Sequence, residues 1–468
     1  MLTNIRMIVR PNLVLAICCL SLLMVSMDAT IVNVALPAIR VDLSATTAGL
    51  QWVVDAYTMV VASLLMLAGS LADRFGRRRT FQTGLVVFTL ASALCSAAPN
   101  LDCLVAFRMV QAIGASMLNP VAMSIITNTF IEPKARARAI GAWGAVVGIS
   151  MALGPIVGGG LTQTVGWRAI FWINLPIGAA AVILAQRFVP ESRAPRARRI
   201  DPVGQLLVLA ALASLTYAVI EGPHHGWGSP LIVGLFATTL AAVVGLLVYE
   251  PRQAEPLLDL RFWRSVPFAS ATAIAVCAFA TFSGFLFLNA LYLQEVRGLA
   301  AFTTGLCTLP IAVAMAVCAP ISGRLIGRHG ARPPLMIGGA AIALSAAMLV
   351  GVEATTPLPW LISAYTVFGI GFGLVNPPIT NTAVSGMPRA QAGVAAAIAS
   401  TSRQVGASLG VAIGGTIAAA SNAGFVAATH AFWWLVAAAG AMIVVLGRLS
   451  TGAYARASTA RIAELLDA

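Results

Sequence analysis

Four charged residues stand where charge is expensive. Asp28, Asp55, Arg108 and Arg403 each fall inside an apolar run long enough to cross a membrane. A carboxylate at such a depth must be protonated, paired or wetted, which suits it to taking up and releasing a proton. Asp28 therefore reads either as a reversible proton carrier or as the permanent partner of Arg108. Asp55, nearer the end of its run, reads as a second proton or cation site or as a solvated boundary carboxylate. A guanidinium keeps its charge, so Arg108 acts by favouring the charged form of any carboxylate that approaches it, or else serves only as a structural hydrogen-bond donor. Arg403, in the stretch Ser402-Arg-Gln-Val-Gly406, suits an anionic group or a neutralising partner.

The elements that hold these residues follow from composition. The chain has 468 residues, 59% hydrophobic and 10% charged, with a mean hydropathy of +0.90. A water-soluble domain cannot hide so much apolar surface, whereas a bilayer solvates it. The Gly- and Ala-rich runs exclude a barrel of short alternating strands. About fourteen spans are expected, at 13–36, 50–71, 80–98, 102–127, 139–163, 167–189, 203–221, 229–249, 266–291, 301–323, 333–352, 357–381, 391–418 and 429–448. The first follows Arg6 and Arg10 as a signal peptide would, but it is too long for one and leads straight into further spans.

Arginine placement orients them. With the N-terminus in the cytoplasm, the 29 Lys and Arg all fall on the inner side except Arg40, Arg168, Arg297 and the intramembrane Arg108 and Arg403. That asymmetry is a strong positive-inside pattern, and it requires an even number of spans with both termini cytoplasmic. The net charge of +13 thus reports orientation and not a nucleic-acid patch. The near-absence of lysine (Lys134 alone) hints at a GC-rich bacterial genome. The seven cysteines sit in or beside apolar runs, without metal spacing or a disulfide framework. No phosphate-binding loop and no nucleophile–base constellation is visible, so an enzyme and an ATP-driven pump are both disfavoured.

The chain also repeats itself. Gly69-Ser-Leu-Ala-Asp-Arg-Phe-Gly-Arg-Arg78 matches Gly323-Arg-Leu-Ile-Gly-Arg-His-Gly-Ala-Arg332. Further on, Gly114–Pro120 matches Gly371–Pro377, and Gly154–Gly159 matches Gly410–Gly415, all at nearly one offset. The expected architecture is an all-α membrane protein of two parallel six-helix repeats with two helices inserted, arranged as 6+2+6. The corresponding units are a six-helix bundle over 1–189, a linker with the inserted helices and an interfacial segment over 190–265, a second bundle over 266–450 and a cytoplasmic tail over 451–468.

Five motifs resemble the major facilitator superfamily, and in particular its fourteen-helix drug–proton antiporters. Gly69-x-Leu-Ala-Asp73-Arg74-x-Gly76-Arg77-Arg-Arg79 is similar to the family's loop signature. Arg108-x-x-Gln111-x-x-Gly114 resembles its proton-transfer motif. Gly144-x3-Gly148-x5-Gly154-Pro155-x2-Gly158-Gly159 resembles its antiporter motif. Met27–Pro37 and Trp167–Gly178 are similar to segments of the fourteen-helix branch. Together they cover essentially the whole chain.

The resemblance implies proton-coupled efflux of lipophilic small molecules across the bacterial plasma membrane, driven by the proton gradient without a cofactor or metal. The protein would be a monomer working on small-molecule substrate and protons within the bilayer, with no nucleic-acid partner. Export of an endogenous metabolite, lipid or siderophore stays open beside drug export, as does a non-transporting sensor. Proton coupling falls to Asp28, Asp55 and Arg108. A conformational latch against the second half falls to Gly69, Asp73, Arg74, Gly76 and Arg77, one-sided because the repeat has Gly327 opposite Asp73. The helix-5 glycines and Pro155 would permit rocking, or simply tight packing. Asn33, Gln111, Phe282, Phe285, Asn376 and Arg403 are the candidate pocket residues. Phe287, Phe368, Phe372, Trp52, Tyr57 and Trp143 are further aromatics that either line the pocket or pack. The absence of an acid in helices 9–14 argues against dication transport.

Overall fold

The computed structural model describes residues 10–193, 201–253, 259–385, 387, 392–420 and 424–467. Among the described residues regular structure is helical, and no strand occurs. The helices are α1 (Pro11–Asp42), α2 (Thr47–Phe75), α3 (Arg77–Ser96), α4 (Leu101–Thr129), α5 (Pro133–Thr164), α6 (Ala169–Trp172), α7 (Asn174–Phe188) and α8 (Pro202–His225). They continue as α9 (Pro230–Tyr249), α10 (Val266–Leu291), α11 (Ala301–His329), α12 (Arg332–Leu349), α13 (Leu358–Ser385), α14 (Ala392–Ala420), α15 (Phe425–Leu449) and α16 (Ala453–Asp467). Eleven spans among the described residues are long and apolar enough to cross a membrane, with α6 and α7 counted as one run over Ala169–Phe188.

Helix ends are set by local chemistry. Thr46 and Asn100 cap α2 and α4 by accepting from Gly49 N (3.1 Å) and Cys103 N (2.9 Å). Proline opens α1, α5, α8, α9, α10 and α12, where its missing N–H costs nothing. Short connections join most of the helices within each half. Val233, Leu240 and Leu247 of α9 stand exposed, an apolar surface that fits lipid.

The sequence repeat is realised as repeated packing. In the first half α1 lies on α5, α2 on α4, α3 on α4 and α3 on α7. In the second, α10 lies on α14, α11 on α13, α12 on α13 and α12 on α15. Small residues at matched positions make the approach possible. A Cβ at Gly114 would stand 2.7 Å from Gly84 O, and one at Gly338 would stand 2.7 Å from Gly371 O. The halves meet through α2 on α14 and, with the roles exchanged, α11 on α5. The inserted α8 packs on both α2 and α14, with α9 outside it.

The expected interfacial segment 255–268 falls partly outside the described residues (254–258). Its described part is a 3-10 turn, Leu260–Arg264, that buries Phe262 against Phe268 and leaves Trp263 exposed. The loop expected over 190–201 is described only to residue 193. The segment expected as a tail forms helix α16, whose Ser458 Oγ accepts from Val266 N (3.1 Å) at the start of α10.

Candidate functional site

Two of the three intramembrane charges of the first half form one buried network. Arg108 on α4 donates through Nη1 to Asp28 Oδ2 on α1 at 2.6 Å, with the two side chains 2% and 0% exposed. Its Nε donates to Val53 O at 3.2 Å, and its guanidinium lies 4.2 Å from the Tyr57 ring centroid on α2. The other carboxylate oxygen, Asp28 Oδ1, accepts from Gln111 Nε2 (3.0 Å) and from Asn174 Nδ2 on α7 (2.9 Å). Ser92 Oγ on α3 accepts from the Gln111 amide at 2.8 Å. A buried ion pair persists only when hydrogen bonds also satisfy its remaining atoms, and here α2, α4 and α7 supply them. Tyr57 Oη is buried with no hydrogen-bond partner among the described residues.

Asp55 takes a different position. It is fully buried on α2 where that helix faces α14. Thr58 Oγ1 donates to its Oδ1 at 3.4 Å, Ser408 of α14 lies against it, and its Oδ2 has no hydrogen-bond partner among the described residues. It therefore sits on the seam between the halves, with no ion-pair partner among the described residues.

The seam is closed at one end. Arg40 Nη1 pairs with Glu295 Oε2 at 2.9 Å, and Gln294 Nε2 donates to Val34 O at 2.9 Å. Gln51 Nε2 donates to Ala412 O at 2.8 Å and Val411 O at 3.3 Å. A Cβ at Gly159 would stand 2.5 Å from Ala301 O, so the backbones of α5 and α11 touch there. The opposite, arginine-rich end is different. Asp73 pairs with Arg77 of its own loop at 3.0 Å. Gly69 on α2, its repeat copy Gly323 and the Asp73 counterpart Gly327, both on α11, face open space, with nothing within 4 Å of where a Cβ would stand. Among the described residues the expected latch makes no ion pair with the second half. Among the described residues the hydrogen bonds and ion pairs between the two halves lie at the other end, where α1 and α2 meet Tyr292–Val296 and α14.

With this geometry in hand, comparison with known proteins is informative. The profile described as Major Facilitator Superfamily matches residues 18–411. The chain belongs to this superfamily. It is 39% identical over 401 residues to the multidrug resistance protein Stp of Mycobacterium tuberculosis, covering 86% of this chain and 74% of that protein. It is 37% identical over 429 residues to a methylenomycin A resistance protein of Bacillus subtilis, covering 91% of each. Among solved structures, a D-xylose-proton symporter matches with a TM-score of 0.65 at 13% identity, covering 94% of this chain and 97% of that one. The human organic anion transporter MFSD10 matches with a TM-score of 0.64 at 16% identity, covering 94% and 99%. The chain is therefore a multi-pass membrane transporter of the major facilitator fold, and not an enzyme.

Against this fold the expected site residues separate into groups. Asp28, Arg108 and Gln111 converge as one cluster. Asn33 lies on α1, buried, with its amide donating back to Ala29 O at 3.3 Å. Gly154 and Gly158 receive Thr30 and Ile31 of α1, whereas Gly159 meets Ala301 across the seam and Pro155 meets Gly305. The antiporter motif thus serves packing within one half and closure between the two. Gly144 and Gly148 lie outside the residues whose surroundings are described.

The aromatic candidates pack against one another. Phe285 is fully buried, stacked on Phe368 at 4.5 Å and edge-on to Tyr365 and Trp433. Phe282 is 6% exposed and stacks on Phe372 at 4.5 Å. In this structure both pack α10 onto α13, because rings at i and i+3 meet the facing rings of α13 as a ladder. Phe287 is likewise buried. Asn376 is half-buried on α13. Arg403 is half-buried on α14, where it donates to Thr380 Oγ1 of α13.

Sequence reasoning missed three contributors. Ser92 and Asn174 complete the Asp28 network, and an amide or hydroxyl within an apolar run was the available signal. Glu191, just past α7, holds the arginine loop. Its carboxylate accepts from Arg78 N (3.1 Å) and Arg79 N (3.3 Å) at the N-terminus of α3, where the helix dipole favours an anion. Trp167 and Arg168 both donate to Asp42, at 2.9 and 2.5 Å, and so tie the end of α1 to the start of α6.

Proposed function

We propose that this chain is a proton-coupled antiporter that exports lipophilic small molecules, drugs or antibiotics, across the bacterial plasma membrane by alternating access. The observation that carries the reading is the buried Asp28–Arg108 pair, held by α1 and α4 beside the helices that form the seam. The names of its relatives, which are resistance proteins, support drugs as cargo. The positive-inside pattern makes the arginine-rich end cytoplasmic, with both chain termini on that side. The end opposite the sealed one then faces the cytoplasm, so this is the state that admits cargo. In it Asp28 is charged and paired. In the outward-open state a proton from outside neutralises Asp28, the pair with Arg108 loosens, and cargo leaves. Return to the inward state releases that proton inside. One charge moved through a potential of 100 mV supplies about 2.3 kcal/mol, enough to bias a two-state equilibrium.

Asp55 is read as a second proton-accessible carboxylate on the seam, and the loop Gly69–Arg77 as the latch that closes the cytoplasmic end in the outward state. Helices α6 and α7 act as one span and α16 lies outside the membrane, which gives fourteen crossings as six, two and six. The protein works as a monomer with no cofactor beyond the proton gradient.

The test uses acidified everted vesicles, with proton release followed on addition of cationic, neutral and zwitterionic drugs. Drug-dependent release that disappears in Asp28→Asn supports antiport coupled on α1. Undiminished release in that variant moves the coupling to Asp55. No response to any drug refutes drug export and favours an endogenous cargo.

A further inference from the structure

The two halves treat their buried arginines differently. Arg108 has a carboxylate at 2.6 Å. Arg403 has none in contact among the described residues. Its Nη2 donates to Thr380 Oγ1, its guanidinium carbon stands 5.9 Å from the Phe279 ring centroid on α10, and its Nε is buried with no hydrogen-bond partner among the described residues. The second half cannot supply a counter-charge at this depth. Between Asp259 and Glu464 the sequence holds only two acids, Glu295 and Glu353. Glu295 is committed to Arg40 at the sealed end, and Glu353 lies in the turn between α12 and α13.

Position adds to the argument. Ser408, which meets Asp55 on the seam, is five residues from Arg403 along α14, or about 7.5 Å at helical rise. Arg403 lies on the side of Ser408 toward the open end. Thr380 and Asn376, four residues apart and so on one face of α13, are both half-buried, as are Phe279 and Arg403. A hydroxyl, an amide, an aromatic ring and an unneutralised guanidinium thus share one partly open region formed by α10, α13 and α14. A buried guanidinium does not deprotonate, and without an anion its desolvation is uncompensated. An organic anion with an aromatic body compensates it: the carboxylate takes the free donors of Arg403, and the ring stacks beside Phe279.

We infer that Arg403, with Thr380 and Phe279, forms a subsite for the acidic group of an amphipathic aromatic carboxylate, so that the cargo includes organic acids. The inference rests on the export reading but is tested by binding alone, which does not require proton coupling.

The experiment measures equilibrium binding of 2-naphthoate and its neutral isostere 2-naphthamide to the full-length protein in nanodiscs at pH 7. The wild type is expected to bind naphthoate at least tenfold more tightly than naphthamide. Arg403→Gln is expected to remove that preference while leaving naphthamide binding unchanged, and Arg403→Lys to restore part of it. Asp28→Asn, which abolishes coupled transport under the export reading, is expected to keep the naphthoate preference, so the two readings fail separately. Equal affinity of the wild type for the two probes overturns the inference, and this arm needs no variant to fold. So does an unchanged preference in Arg403→Gln, or complete displacement of naphthoate by physiological chloride, which identifies an inorganic counter-ion site only.

Discussion

Replacing Gly159 by alanine should push the transporter out of the state seen here. In this structure the added Cβ would lie 2.5 Å from Ala301 O and 2.8 Å from Phe302 Cα, both backbone atoms that no rotamer change can move. Ordinary contact begins at 3.4 Å, so α5 and α11 must separate by about 0.9 Å at the sealed end. Overpacking of this kind costs about 1–3 kcal/mol. The penalty applies only while the seam at Gly159 is closed, so it shifts the ratio of the two conformers by roughly 5- to 150-fold. Hydrogen exchange read by mass spectrometry in nanodiscs reports it. Exchange should rise over 301–305 and 411–415 at the sealed end, and fall over 69–79 and 323–330 as the arginine-rich end closes. Gly327→Ala, at a position with open space around it, should produce no rise at the sealed end. A folded Gly159→Ala protein with wild-type exchange at both ends would refute the assignment of Gly159 to a gating seam.

Three further outcomes are expected. Gln51→Leu removes both hydrogen bonds to α14, whose two carbonyls keep their helical donors, so it should favour the outward-open state in the same exchange assay by about 0.5–1.5 kcal/mol. Asn174→Leu deletes a buried donor to Asp28 and should destabilise the folded protein by about 1–3 kcal/mol, read as a lower thermal midpoint in detergent. Gly76→Ala places a side chain where φ is +113° and against the Glu191 carboxylate 2.6 Å away. It should cost more than about 1 kcal/mol, and Glu191→Ala should not rescue it because the backbone strain remains.

Much of this protein is legible locally. Hydropathy is a sum over neighbouring residues, so the apolar runs announce the spans. Arginine placement is a loop property, so it announces sidedness. The matched segments around Gly69 and Gly323, Gly114 and Gly371, and Gly154 and Gly410 predict the duplicated packing that α3–α4 and α12–α13 display. A charge within an apolar run is visible at once, which is why Asp28, Asp55, Arg108 and Arg403 stood out.

Other features depend on how helices are rotated about their axes, and no local sum encodes that. Asp28 and Arg108 are 80 positions apart, and only packing of α1 against α4 makes them a pair. The same packing recruits Ser92 and Asn174, residue types too common to be singled out in advance. It also turns Phe282 and Phe285 into the α10–α13 ladder and leaves Arg403 without an acid. The choice of which end stands open is still further from the sequence. Two states with the same spans and the same charges differ only in which seam is zipped, by a few kcal/mol spread over contacts such as Gln51 with Ala412 and Gly159 with Ala301. The sequence by itself determined the spans, the repeat and the buried charges, because each is a property of neighbours along the chain. Only the tertiary structure decided which charges are paired and which end is closed, because both depend on contacts between helices distant in sequence.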